Sequence, residues 1–143
     1  MIRALAEYLI TQAGLTDLVI GSTLWIGPVA EADLTKLPDR LIVLVERPGP
    51  PEEAVTGELE QARLQVLTRN TTLWNARDLA GAVHRALHSL FNKTFQIRDA
   101  KDVATGTMEV WSILANATPA PIGIDARGRH EFSANYTITR TKQ

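Results

Sequence analysis

Two histidines, His84 and His88, have the spacing in this sequence that most suggests chemistry. They stand one helical turn apart in the stretch HRALH, so their imidazoles could share one metal ion. Arg85 occupies the position where a zinc protease of this pattern carries its glutamate, and a fixed cation there would repel a metal. The spacing suggests no third ligand, and both histidines flank an apolar stripe. We therefore predict no metal site and interpret the pair as a partly solvated helix side.

The serines, carboxylates and glycines also lack a catalytic arrangement. The serines have no Gly-x-Ser-x-Gly setting, and no histidine is placed by sequence to activate one. Asp99 and Asp102 lie close together, but the basic residues beside them indicate a solvated turn. The glycines form neither a phosphate-binding loop nor a dinucleotide fingerprint. We predict no enzyme, no catalytic residue and no cofactor, with a metal-dependent hydrolase using the two histidines and a loop aspartate as the less favoured alternative.

Length and charge narrow the class of protein further. The 143 residues predict a single domain, 1–143, and the net charge of -1 argues against a protein that wraps nucleic acid. The chain has no cysteine, which excludes disulfide scaffolds and thiolate zinc sites. Its longest aliphatic run, residues 41–45, is too short to span a membrane, and the first residues do not form a signal peptide. We expect a cytoplasmic protein with no membrane partner.

The periodicity of apolar residues predicts an α+β fold. A first amphipathic helix ends near Gly14, and a longer one covers residues 73–91, with Thr71 or Thr72 as its cap. Its apolar stripe consists of Leu79, Val83, Leu87 and Leu90. Strands are predicted at residues 22–26, 41–45, 62–69, 94–97, 107–115 and 129–140, and a proline-rich loop at 48–58. We expect a mixed, mainly antiparallel sheet of about four or five strands, with two helices packed on one face.

Two strand patterns carry specific expectations about side-chain direction. In residues 107–115 the alternation predicts that Met108, Val110 and Leu114 share one side. The last strand, 129–140, is about twice the usual length. Its inward face is predicted to carry His130, Phe132, Ala134, Tyr136 and Ile138. Because so long a strand exceeds the needs of a small sheet, we expect it to extend past its own domain towards a partner.

The turn before this strand, DARGR, is the remaining candidate for a functional site. Asp125 and Gly128 are turn residues, since Asp can bind its own backbone and Gly tolerates positive φ. Arg127 and Arg129 are expected to project from the turn, where a guanidinium can pair with a partner's carboxylate. With Glu131 at the start of the strand, these residues form our candidate assembly interface. A solvated hairpin tip is the alternative.

Two stretches resemble the tail-terminator proteins of long-tailed bacteriophages, often described as minor capsid proteins. One is EQARLQVLTRNTTLWNARDLAGAVHRALHSL, residues 60–90, a strand that ends in an arginine and leads directly into a helix. The other is PIGIDARGRHEFSANYTITR, residues 121–140, an acidic turn, then Gly-Arg, then a strand with Asn before an aromatic residue. Related proteins occur in phage-like gene transfer agents.

The resemblance implies a structural virion protein that takes part in head-tail joining at the neck. It would form a ring with copies of itself, commonly a hexameric ring, that caps the tail tube and stops its polymerisation. It would also present a docking surface to the head-side connector or stopper protein, while DNA passes through the lumen without specific binding. Virus assembly would take place in the host bacterial cytoplasm. Another neck or tail-tube component is the alternative in the same setting.

Overall fold

A computed structural model describes residues 1–47, 59–99 and 101–141 of the chain. These residues form a mixed α+β fold. The elements in chain order are α1 (Ile2–Leu9), β1 (Leu24–Ile26), α2 (Glu31–Leu34), β2 (Leu41–Arg47), β3 (Leu59–Asn70), α3 (Leu73–Leu87), β4 (Leu90–Arg98), β5 (Ala104–Ala115), β6 (Ala120–Ile124) and β7 (His130–Thr141). The predicted loop at 48–58 lies outside the described residues.

The seven strands found in the described ranges form one sheet, larger than the four or five strands predicted. Its order is β1-β2-β3-β7-β5-β4, and β6 lies beside the first residues of β7. Only β1 and β2 run parallel, and all other neighbours are antiparallel. β6 was not predicted, because Pro121 and Gly123 are residues that strands usually avoid. α2 was also missed, since it is only four residues long.

The main core lies on one face of this sheet, here called the inner face. β2 is buried on both sides, as predicted: Ile42 and Leu44 join the main core, while Leu41 and Val43 are buried on the opposite, outer face. Through the strand register, Val66 of β3 lies opposite Leu44 and belongs to the same core. Buried leucines and alanines of α1 and α3 lie on the apolar faces of these helices and complete the core.

Helix α3 begins as the sequence predicted but ends earlier. The Thr72 side chain caps it by accepting a hydrogen bond from the Asn75 amide at 3.1 Å. Its predicted stripe is buried at Leu79, Val83 and Leu87. The chain then turns at Ser89, whose φ is 63°, so Leu90 begins β4 instead of extending the helix stripe.

A bulge in β5 reverses one predicted side-chain direction. Met108 and Val110 are buried as expected, but the pairing with β7 shifts between Val110 and Ser112. One extra residue exchanges the two faces for the rest of the strand. Ile113 therefore enters the core, and Leu114 is 42% exposed. The prediction for Leu114 was wrong because alternation alone does not reveal a bulge.

Strand β7 is central in the sheet and does not extend past its own domain. Phe132, Ala134, Tyr136 and Ile138 are buried on its inward face, as predicted. Along one edge it pairs with β3 over all twelve residues, and along the other it pairs with β6 and then β5. The expectation of an unused strand was therefore wrong. Its length matches that of β3, which the local sequence of β7 does not reveal.

Candidate assembly surface

The turn between β6 and β7 is closed by hydrogen bonds around Asp125. One carboxylate oxygen, Oδ1, accepts from the amides of Arg127 at 3.0 Å and Arg129 at 2.9 Å. The Asp125 amide donates to the Arg129 carbonyl at 2.9 Å. Gly128 has a φ of 76°, a conformation that costs other residues energy. Asp125 therefore binds the backbone of the turn and Gly128 adopts a positive φ, as predicted from their residue types.

The side chain of Arg129 does not project from this turn, and the expectation that it would was wrong. Only 2% of the side chain is exposed. Its Nε donates to Asp125 Oδ2 at 2.7 Å, and its terminal nitrogens donate to the carbonyls of Leu37 at 3.1 Å and Thr35 at 3.2 Å. The guanidinium is buried because residues 31–39, which carry these carbonyls, lie over it.

A second arginine, Arg69, is buried beside the first. The register places it opposite Leu41 on the outer face, and its side chain has 0% exposure. It donates to the carbonyls of Leu34 at 2.7 Å, Leu37 at 3.0 Å and Pro38 at 2.7 Å. Its terminal nitrogen lies 4.0 Å from the carboxylate of Asp125. Two arginines thus hold residues 31–39 against the sheet, although α2 itself has no buried residue.

The pKa values of the two carboxylates near this cluster shift in opposite directions. Burial alone would raise the pKa of Asp125, but hydrogen bonds from Arg129 and Arg127 outweigh burial and hold the pKa below its ordinary value. Burial, together with the negative charge of Asp125, raises the pKa of Glu131, although Arg69 and Arg129 partly oppose this rise. Asp125 is therefore the carboxylate that Arg129 and the turn amides stabilise in its charged form.

The five candidate interface residues consequently differ in what they can offer a partner. Asp125, Gly128 and Arg129 build the turn and fasten it to residues 31–39. Arg127 contributes only its backbone amide to the turn, and its side chain is exposed. Glu131 is partly buried at the start of β7. Of the predicted charges, Arg127 is the one whose side chain remains accessible.

The two histidines stack against each other. Their ring centroids are 4.9 Å apart with an angle of 14° between the planes. His88 Nδ1 accepts a hydrogen bond from the Ala115 amide at 3.0 Å, so this nitrogen already has a partner within the fold. Burial, followed by the charges of His88 and Arg85, lowers the pKa of His84. No group of three potential metal ligands occurs within residues 1–47, 59–99 and 101–141.

Large apolar side chains on the surface were not identified as a site by the sequence. Trp74 is 66% exposed at the start of α3, and Ile122 and Ile124 are exposed along β6. Phe91, Trp111 and Leu114 are exposed on β4 and β5. The bulge interrupts the period-two alternation around Trp111, so the sequence pattern does not indicate the direction of its side chain. These residues offer more contact surface than the charged turn alone.

Comparison with known proteins assigns the family. A family profile described as Bacteriophage tail terminator protein matches residues 30–142. That range includes residues 31–39, both buried arginines and the turn. A search of the curated proteins finds no significant match. No helix in the described part of the chain is long and apolar enough to cross a membrane. Since the profile covers most of the sequence, the chain belongs to the bacteriophage tail terminator proteins, a structural family of the virion tail.

Proposed function

We propose that copies of this chain form a ring, of six subunits as the family resemblance implies, that caps the finished tail tube at the neck. The ring stops tube polymerisation, contacts the tail tube protein on one side and provides a docking surface for the head-side connector or stopper protein on the other. It assembles in the host bacterial cytoplasm. The observation that carries the proposal is the family match over residues 30–142.

The charge of the chain agrees with this role. A ring through which DNA slides must not bind phosphates strongly, and a net charge of -1 makes a strong electrostatic hold on DNA unfavourable. The profile describes a structural family, so no reaction needs to be assigned to the histidines. A different tail-tube component is less favoured, because we expect such proteins to lack a central helix like the 15-residue α3.

We further assign the turn at residues 125–129, with Glu131, to an assembly contact. Asp125, Gly128 and Arg129 hold the turn in shape, and the exposed guanidinium of Arg127 offers charge-assisted hydrogen bonds to a neighbouring subunit or to the tube. This division of roles matters for mutagenesis. Reversing the charge of Arg129 would disrupt the buried cluster, whereas reversing that of Arg127 alters only the surface.

The test combines imaging with a tail assembly assay. Purified protein is examined by electron microscopy and native mass spectrometry, and phage tails are assembled with the wild type or with Arg127→Glu. We expect closed rings from the wild type. From the variant we expect a folded protein whose tails have uncontrolled length or fail to join heads. A wild type that forms no ring, alone or on tubes, would refute the ring, and normal tails with Arg127→Glu would refute the contact.

A further inference from the structure

Seven large apolar side chains are exposed in two separate places on the described part of the chain. The first group, here called the outer patch, consists of Phe91, Trp111 and Leu114. The second group, here called the end patch, consists of Leu73, Trp74, Ile122 and Ile124. Each member is between 42% and 66% exposed. Grouped exposure of this kind is characteristic of interaction surfaces, whereas scattered exposure is ordinary.

The outer patch lies on the face of the sheet opposite the main core. Phe91 pairs with Ser112, and paired residues point to the same side. Leu114 follows Ser112 by two residues in β5, so its side chain points to that side as well. The bulge directs Trp111 outwards as well, and its indole nitrogen donates to the Thr141 hydroxyl at 3.4 Å. Residues 31–39 are fastened over the other half of this face, so they leave the outer patch bare.

The end patch lies at one end of the sheet. Ile124 pairs with His130, and His130 pairs with Asn70. Helix α3 starts three residues after Asn70, so Leu73 and Trp74 lie at the same end as β6. All five residues of β6 are exposed. The exposed Arg127 follows in the adjacent turn, which makes the end patch an apolar surface with a cation at its margin.

The two patches cannot cover each other within one subunit. Leu114 pairs with Thr137 and Ile124 with His130, seven residues apart on the same strand. At roughly 3.4 Å per residue, about 24 Å separates them. Each margin carries charges of both signs: Glu109 and Arg63 are exposed beside the outer patch, and Arg77, Asp78 and Arg127 are exposed beside the end patch.

We propose that the outer patch of one subunit binds the end patch of a second copy of this chain. The contact is heterologous, because two different surfaces meet, and repetition of such a contact produces a ring if the rotation closes. Apolar side chains form its centre, and Glu109 approaches the arginines of its neighbour at the rim. Thr137 lies between Leu114 and Arg63 in the sheet, so Arg63 marks one edge of the outer patch. This inference rests on the proposed ring and specifies which surfaces build it.

The experiment uses one variant for each patch and a matched control. Leu114→Asp disrupts the outer patch, Ile124→Asp disrupts the end patch, and Val19→Asp alters an exposed valine outside both. Circular dichroism and thermal unfolding verify that each variant folds. If an aspartate variant does not fold, Trp111→Ser or Trp74→Ser replaces it. Native mass spectrometry then measures the oligomers of each protein and of an equal mixture of the two patch variants.

We expect rings from the wild type and from Val19→Asp, and at least about a tenfold loss of rings from each patch variant. The mixture should give dimers and no larger species, because one intact end patch can bind one intact outer patch and nothing remains to continue the ring. Rings from either patch variant, or a mixture that stays monomeric, would overturn the inference while the ring itself stands. A wild type that forms no rings, alone or on tubes, would overturn both proposals.

Discussion

Removal of the carboxylate of Asp125 should destabilise the fold by several kcal/mol. This group accepts two backbone amides and the Nε of Arg129, and it lies 4.0 Å from Arg69. Its side chain is 13% exposed, so water replaces little of what is lost. Breaking a buried ion pair by removing one partner costs about 3 to 5 kcal/mol. We expect that cost for Asp125→Ala, since it leaves two buried guanidinium groups without their shared carboxylate.

Asp125→Asn separates charge from hydrogen bonding. The amide oxygen can still accept backbone N–H groups, but its charge-assisted bond to Arg129 is lost, and hydrogen bonds to charged groups contribute about 1.5 to 3 kcal/mol. The cost should depend on pH. Because the folded pKa lies below the ordinary 3.8, the stabilisation is complete above 3.8 and is lost as the pH falls from there through the folded pKa.

Urea unfolding at fixed subunit concentration measures both effects. The fixed concentration is needed because assembly adds to apparent stability. The gap in the free energy of unfolding between wild type and Asp125→Asn should be largest at neutral pH and should narrow in acid. Val19→Ala, whose exposed side chain is outside the cluster and outside the proposed contacts, is the control and should change stability by less than about 0.5 kcal/mol. A gap that does not change with pH would contradict the role assigned to the charge of Asp125.

Four further predictions concern the core, the helix cap, the pKa of His84 and zinc binding. Leu87→Ala removes a fully buried side chain and should cost about 2 to 5 kcal/mol in urea unfolding. Thr72→Ala removes the cap of α3 and should cost about 1 kcal/mol, whereas Thr72→Ser should cost less. The pKa of His84 is lowered in the fold, so the unfolded chain binds a proton at this residue more readily than the folded chain does. The free energy of unfolding should therefore fall as the pH drops below 6.5, the ordinary pKa of histidine, and His84→Gln should reduce that fall. Zinc should not shift the wild-type unfolding midpoint, and a large stabilisation by zinc would contradict the prediction that the chain binds no metal.

The sequence predicted those parts of the fold that depend on local periodicity. The inward face of β7 and the stripe of α3 follow from which residues alternate or recur along one element. The bulge at Trp111 could not be predicted this way, because its position depends on how β5 pairs with β7. β6 was missed because its pairing with β7 offsets the unfavourable strand propensity of Pro121 and Gly123.

The burial of the two arginines was unpredictable for a related reason. Arginine is rarely buried unless it is paired, so the two arginines of the turn, Arg127 and Arg129, were both expected to be exposed. The groups that bury Arg129 belong to a segment about ninety residues earlier in the chain and are mainly backbone carbonyls. Every residue has such a carbonyl, so no side-chain pattern marks them.

The two stretches that suggested the family combine two kinds of residue: their arginines hold the fold together, while Trp74 and Ile124 belong to the end patch proposed to bind a partner. The first resembling stretch has a strand that ends in Arg69, and the second has Gly-Arg at Arg129, and in the fold both arginines converge on Asp125. These sequence features are explained by the need to hold residues 31–39 on the sheet. Assembly surfaces are better sought where the fold leaves side chains uncovered, which for this chain means the outer patch and the end patch with Arg127 at its margin.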